Sequence, residues 1–221
     1  MAQSSAEIVI RGAGIAGVAA AYHLAVRRGL RDIVIVDERP PLTLTSDKSA
    51  ECYRNWWPGP GNDMVALMDR SIDLLEELAV ESGNVFLLNR RGYLFATASE
   101  PRVGTFVAAA EEAAHLGAGP VRHHTTASSD YQLSAAEGFD RTLRGTDIIT
   151  EPSLIRRHYP WLAADTIALL HARRCGWFSG QQLGMYLLEQ ARLHGVRLVE
   201  GEVVRIDAHG GRVRGVEVRT A

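Results

Sequence analysis

Apolar positions along the chain fall into two rhythms, short continuous runs and stripes of helical period. A run from Glu7 to Arg11 reads as a buried strand, and Ile33 to Val36 reads as a second, ending at Asp37. Between them Ile15, Val18, Ala19, Tyr22 and Leu24 make a mostly apolar helix that Gly29 stops. A longer helix is predicted from a cap at Asn62 or Asp63, with Met64, Leu67, Met68, Ile72, Leu75, Leu78 and Ala79 on one face and Gly83 at its C′ position. From Val85 to Thr97 the runs shorten and are broken by Asn89 and Gly92, which predicts strands of a different sheet. Helical period returns over Val103 to Leu116, with Val103, Phe106, Val107, Ala110, Ala113 and Ala114 as the inner stripe and Gly117 at the end.

Residues 118 to 147 carry Gly, Pro, Ser, Thr and Asp with little periodicity and read as a long loop or insertion. Ser153 is the expected cap of a short helix through His158, stopped by Pro160. Gln181 to His194 is amphipathic, with Leu183, Leu187, Leu188 and Ala191 inward and Gly195 at C′. Val196 to Leu198 follows as a strand, and Val203 to Ala208 with Val213 to Val218 form a hairpin around His209-Gly210-Gly211. There is no internal repeat.

Composition narrows the class of protein. The 221 residues are 46% apolar and 23% charged with a formal net charge of -2, which gives no reason to expect nucleic acid or an anionic membrane as partner. No segment approaches the roughly 20 apolar residues that span a bilayer. Met1 to Glu7 lacks the features of a signal peptide, so a cytoplasmic protein is expected. Cys52 and Cys175 are far apart, and His123-His124 has no ligands nearby at metal spacing, so no metal is expected. Nothing resembles a hydrolase nucleophile: there is no G-x-S-x-G elbow and no Cys/His pair.

Gly12-Ala13-Gly14-Ile15-Ala16-Gly17 fits G-x-G-x-x-G between the first strand and its helix. The three glycines serve a tight turn, close backbone approach to a pyrophosphate, and close packing of helix on strand. A diphosphate would sit at the helix N-terminus, where free N–H groups and the dipole favour negative charge. Asp37 lies 25 positions after Gly12, near the roughly 20 expected of a carboxylate that binds ribose hydroxyls. Glu38 competes for that role, and Asp37 is favoured because it directly ends the apolar run. Arg11 stands where an apolar residue is usual, and it either reaches solvent or assists a phosphate.

NAD-type and FAD-type domains share this fingerprint, and the rest of the chain decides between them. Thr45-Ser46-Asp47-Lys48-Ser49-Ala50, Arg54 with Asn55-Trp56-Trp57-Pro58-Gly59, Gly92-Tyr93-Leu94 and His158-Tyr159-Pro160-Trp161-Leu162 resemble segments of the D-amino-acid oxidase / sarcosine oxidase / glycine oxidase family of flavoproteins. So do Gly176-Trp177, Gln182 to Leu187, His194 to Leu198 and Glu202 to Ile206. The family's Asp-Pro after Gly-Trp is replaced by Phe178-Ser179-Gly180, and the loop from Ser46 to Ser49 lacks the histidine that attaches flavin covalently in some members.

The resemblance implies an α/β fold: a Rossmann-like FAD/NAD(P)-binding domain with a central parallel sheet, plus an inserted, incomplete α+β substrate domain. The expected segments are 1-84 for FAD, 85-175 for substrate and 176-221 for the return to FAD. It implies non-covalent FAD held by Gly12, Gly14, Ile15, Ala16, Gly17, Asp37 or Glu38, Ser46, Lys48 and Ser49, with the backbone of Val203 and Val204 at the adenine. Arg54 would hold a substrate carboxylate, and Trp56 and Trp57 read as packing rather than catalytic, with a wall of the active site as the alternative for one of them. The expected activity is oxidation of an amine or amino acid of sarcosine, glycine or D-amino-acid type by hydride transfer to flavin. Family members are longer, so the chain is expected to be an N-terminal portion, completed by a missing C-terminal half or a second subunit. The alternatives are a non-catalytic nucleotide-binding subunit of a split flavoenzyme, or an NAD(P)-dependent oxidoreductase.

Overall fold

The computed structural model describes residues 4–48, 51–139 and 143–220. In chain order the elements are β1 (Ile8–Arg11), α1 (Ile15–Tyr22), β2 (Ile33–Asp37), β3 (Cys52–Arg54), α2 (Asp63–Ser82), β4 (Tyr93–Thr97), α3 (Glu100–His115) and β5 (Val121–His124). They continue with β6 (Thr146–Ile149), α4 (Pro152–His158), β7 (Ala168–Ala172), β8 (Cys175–Trp177), α5 (Gly180–Leu193), β9 (Arg197–Glu200), β10 (Glu202–His209) and β11 (Arg212–Arg219). Two compact units result: Met1–Ala50 with Ser179–Ala221, and Glu51–Phe178. The units thus change over at residues 51 and 179, whereas the sequence segments were drawn at 85 and 176.

In the first unit β1, β2 and β9 form a parallel sheet with β2 in the centre. Ile33, Val34, Ile35 and Val36 are all buried, as a central parallel strand requires. α1 packs beside α5, whose buried Leu183, Leu187, Leu188 and Ala191 are those the helical period singles out, whereas α1 buries Val18 and Tyr22 of its expected stripe together with Ala21 and leaves Ile15 exposed. On another side of β2 the hairpin β10–β11 lays Val203, Val216 and Val218 against Val34 and Val36. α1 is shorter than its apolar stripe implied, because His23–Arg27 winds as a π-helical turn before Gly29, at φ 66°, reverses the chain.

The second unit is built on a four-stranded sheet in the order β4-β7-β6-β5. β4–β7 and β7–β6 are antiparallel and β6–β5 is parallel. α3 contributes Ala110 to a core with Ile148, Leu170 and Ala172. A second core joins Ile149 and Leu169 to Leu154, Ile155 and Tyr159 from α4 and the turn after it, and to Tyr131. β3 and β8 form a separate antiparallel pair, with Arg54 opposite Cys175. β3 was not foreseen from the sequence.

Four expectations are corrected here. The stretch 118 to 147 is not one loop: β5 and the start of β6 lie in it, hidden because Arg122, His124 and Asp147 turn polar side chains into the unit. Between Val85 and Gly92 there is a turn rather than a strand, with the Asn84 side chain bonded to Leu88 N–H (2.8 Å) and carbonyl (3.0 Å). The expected face of α2 is buried at Ile72, Leu78 and Ala79, but in its first turns Val65 is buried while Met64 and Leu67 are exposed. In the same part of the helix Asp69 faces buried Arg174, whose Nη1 donates to it at 2.6 Å. The cap of α4 lies two residues earlier than Ser153, at Glu151, whose carboxylate accepts from Ser153 N–H at 3.0 Å.

Asp147 is the polar centre of this unit. Arg122 donates to both its oxygens (2.6 and 3.1 Å), His124 Nε2 lies at 2.9 Å, and Arg173 Nε donates as well. Burial raises the Asp147 carboxyl, but the Arg122 hydrogen bonds, the Arg173 charge and the His124 hydrogen bond outweigh it and hold it at about 2. Opposite it in register stands His171, whose Nδ1 meets the Tyr131 hydroxyl at 2.8 Å and whose Nε2 meets the Arg91 carbonyl at 3.2 Å. One acceptor and one donor suit a neutral ring. Burial and then the charge of Arg173 bring His171 down to about 4.

A group held below its unfolded value stabilises above that value and loses the effect as pH falls through the folded one. For His171 the window therefore runs from about pH 6.5 down to about 4, and the effect is on the order of 3 kcal/mol. Urea unfolding should show stability declining across that window, and His171→Gln should flatten the decline. An unchanged slope in the variant would assign it to other groups.

Candidate functional site

The glycine loop turns sharply at Gly12, whose φ of 104° is left-handed backbone. Its N–H donates to the Val36 carbonyl at 2.8 Å, which ties the loop to the neighbouring strand. Gly14 is the N-cap of α1 and offers no side-chain cap. The first intrahelical bond is Val18 N–H to Gly14 O at 3.0 Å, so the N–H groups of Ile15, Ala16 and Gly17 precede the ladder. Ile15 N–H donates to Ser46 Oγ at 3.0 Å. Gly17 is where helix meets strand: a Cβ there would lie 1.9 Å from Gly12 O and 3.3 Å from Ile10 Cγ2. No larger residue fits.

Asp37 ends β2 with both carboxylate oxygens fixed by backbone. Oδ2 accepts from Ala13 N–H at 2.7 Å and Oδ1 from Arg39 N–H at 2.9 Å. Each oxygen has further lone pairs to offer a hydroxyl. Glu38 is instead exposed and pairs with Arg39 at 3.2 Å. Ser46 and Lys48 belong to the short turn after β2, in which Ser46 reaches α1 and exposed Lys48 pairs with Asp47. The Lys48 hydrogen bond, with its charge, lowers the Asp47 carboxyl. Ser49 lies outside the described residues. The sequence reading missed Gln181, whose Nε2 donates to the Leu42 carbonyl (2.9 Å) and to Asp47 Oδ1 (3.0 Å), fixing this turn to the start of α5. Its position at a helix start between Ser179 and Leu183 was the one available signal.

Val203 and Val204 behave differently. The side chain of Val203 is buried against β2, whereas Val204 is 42% exposed. The register of β10 with β11 steps from Val203↔Val218 to Arg205↔Glu217, so Val204 has no partner on β11. Such a bulge leaves a backbone unit available to something other than the ladder. Arg11 is exposed at the end of β1.

Arg54, in the second unit, ends β3. Its guanidinium carbon lies 4.0 Å from the Trp57 ring centroid and 5.7 Å from that of Tyr93. Trp57 Nε1 donates to the Arg54 carbonyl at 3.0 Å. Arg54 Nε is sealed from solvent without a hydrogen-bond partner. Burial, followed by the hydrogen bond to the Cys52 thiol, pushes the Tyr93 hydroxyl up to about 12. Burial likewise raises the Cys175 thiol to about 12, so it is protonated and chemically quiet. His124 serves Asp147, and among the described residues no group of His, Cys, Asp and Glu could hold a metal ion. No helix of the described residues is long and apolar enough to cross a membrane.

A strand, glycine turn, helix and strand ending in a fixed carboxylate define a dinucleotide-binding α/β unit. The chain belongs to the FAD dependent oxidoreductase family, whose model matches residues 7–221. It is 36% identical over 101 residues to mitochondrial dimethylglycine dehydrogenase of Rattus norvegicus, a stretch that is 46% of this chain and 11% of that protein. Its fold is similar to that of L-proline dehydrogenase from P. horikoshii, with a TM-score of 0.75 and 22% identity over 98% of this chain and 50% of that one. Glycine oxidase from Bacillus cereus is similar with a TM-score of 0.74 and 17% identity, covering 97% of this chain and 53% of that one. The chain therefore spans about half the length of these solved structures.

Gly17→Ala should displace α1 from β1, because the 1.9 Å approach leaves no room for a methyl group. The expected outcome is a lower melting temperature and loss of FAD binding, measured together by thermal melting with and without FAD. A variant that melts and binds like the parent would contradict this packing.

Proposed function

We propose that the first unit binds FAD non-covalently and that the second, which contains residues 85–175, faces an amine or amino-acid substrate. On this reading the whole protein or complex in which the chain works oxidises a sarcosine-, glycine- or D-amino-acid-like compound. The observation that carries the cofactor assignment is the uncapped start of α1 beside the fixed carboxylate of Asp37. The N–H groups of Ala16 and Gly17, which precede the helical ladder at the positive end of the helix, suit a diphosphate.

Gly12 and Gly14 let the backbone approach the diphosphate, and the N–H groups of Ala16 and Gly17 face it, with Ile15 contributing through the Ser46 hydroxyl it holds. The Ser46 hydroxyl, already accepting from Ile15, has its proton free to donate to a phosphate oxygen. Asp37 receives the ribose hydroxyls, a role that Glu38 is less suited to because it is exposed and paired with Arg39. The unpaired backbone of Val204, next to buried Val203, meets the adenine edge. Lys48, in the same turn as Ser46, completes the loop that encloses the cofactor. When bound, FAD supplies the hydride acceptor for oxidation beside the substrate nitrogen. Arg54 orients the substrate through its carboxylate, by paired charge-assisted hydrogen bonds. A cytoplasmic location, with Cys52 and Cys175 in no disulfide among the described residues, belongs to the same reading.

The test is a visible spectrum of the purified protein after gel filtration, alone and with added FAD or NAD. Retained flavin absorbance supports the reading. A colourless protein that binds NAD and ignores FAD contradicts it. Asp37→Ala should lower FAD affinity by about tenfold to a hundredfold, since hydrogen bonds to a charged group contribute about 1.5–3 kcal/mol. Glu38→Ala should change it little, and the reverse order would move the ribose role to Glu38.

A further inference from the structure

Arginines inside proteins are ordinarily held by carboxylates, and the second unit does this repeatedly, as with buried Arg90 and Glu76. Arg173 and Arg122 pair with Asp147, and Arg174 pairs with Asp69 and Asp73. Arg54 is held differently. Its guanidinium stacks on Trp57 at 4.0 Å and has Tyr93 at 5.7 Å. No carboxylate of the described residues forms an ion pair with it, and its buried Nε has no partner.

The stack is fixed at both ends. Trp57 Nε1 donates to the Arg54 carbonyl at 3.0 Å, so the indole cannot rotate away without breaking that bond. Tyr93 is tied to the Cys52 thiol and meets Phe95 edge-on at 6.4 Å. An aromatic face attracts a cation through its quadrupole but removes none of its charge. A carboxylate in the same place would neutralise the arginine and occupy its donors.

We infer that Trp57 is a positioning residue for substrate recognition: it holds Arg54 in one orientation while leaving the charge and both Nη atoms free. This rests on the reading of Arg54 as the group that binds the substrate carboxylate. With Trp57 over the guanidinium plane and Nε sealed, the ligand engages end-on, in the plane, through Nη1 and Nη2. A carboxylate matches that fork, and an uncharged amine does not. Tyr93 supports the same orientation. Preorganisation of this kind raises affinity because the side chain is not ordered at the moment of binding.

The experiment compares N,N-dimethylglycine with trimethylamine, its counterpart without a carboxylate, by calorimetric titration of the FAD-loaded protein. Arg54→Gln should abolish the preference for N,N-dimethylglycine. Trp57→Leu should weaken N,N-dimethylglycine about tenfold, which is about 1.4 kcal/mol. Trp57→Phe keeps a ring but loses the bond to the Arg54 carbonyl, and a smaller loss of about threefold is expected. Neither Trp57 variant should alter the response to trimethylamine. If Arg54→Gln loses the preference while the Trp57 variants keep parental affinity, the positioning role is overturned and the carboxylate reading stands. If Arg54→Gln retains the preference, both are overturned. Should Trp57→Leu fail to fold, the parent still decides: the Nε–H resonance of Arg54 should be moved upfield by the indole ring. A signal at the ordinary arginine position overturns the inference.

Discussion

The first unit depends on how closely α1 approaches the end of β1. Gly17 sits so near Gly12 O that a methyl group would lie at 1.9 Å, and this contact sets the helix directly over the turn. With α1 there, Ala13 N–H comes within 2.7 Å of Asp37 and Ile15 N–H within 3.0 Å of Ser46. Move the helix outward and both bonds lengthen together. The diphosphate end and the ribose end of the proposed cofactor site are therefore consequences of one packing contact. Gln181 extends the same arrangement, since it fixes the Ser46 turn to the start of α5, which packs beside α1.

The second unit shows two ways of keeping charge inside a protein. Around Asp147 every strong donor finds the carboxylate, and the network serves to join β5, β6 and β7. Its stability is tied to protonation, because His171 must remain neutral among cations. Among the described residues Arg54 has no such closure. It is held by ring faces and by a bond from Trp57 to its own carbonyl, which fixes its direction and leaves its charge uncompensated. An arrangement that forgoes the ion pair available to its neighbours is suited to an anion that comes and goes.

Much of this was legible in the sequence, for identifiable reasons. The run Ile33 to Val36 could only be a strand covered on both faces, and the G-x-G-x-x-G spacing fixed where the helix starts. The stripe of α5 was read correctly because its inner positions are all apolar. Where polar residues face inward, the pattern misleads. β5 has a single apolar residue among Val121-Arg122-His123-His124, and its strand nature rests on partners 23 and 25 positions away. On α2 the stripe is right at Ile72, Leu78 and Ala79, but it gives no sign that Asp69 faces Arg174, a contact 105 residues distant. Arg54 was legible as a residue and not as a geometry: nothing local in Arg54-Asn55-Trp56-Trp57 distinguishes which tryptophan carries the guanidinium.

The central claim, that the start of α1 receives the diphosphate of FAD, is tested most directly by amide hydrogen exchange at Gly14, Ile15, Ala16 and Gly17. Addition of FAD should slow exchange at Ala16 and Gly17, which precede the helical ladder, more than at Ile15, which already bonds Ser46. NAD at the same concentration should protect them less. Exchange at these amides that is indifferent to FAD, or slowed by NAD alone, would contradict the account.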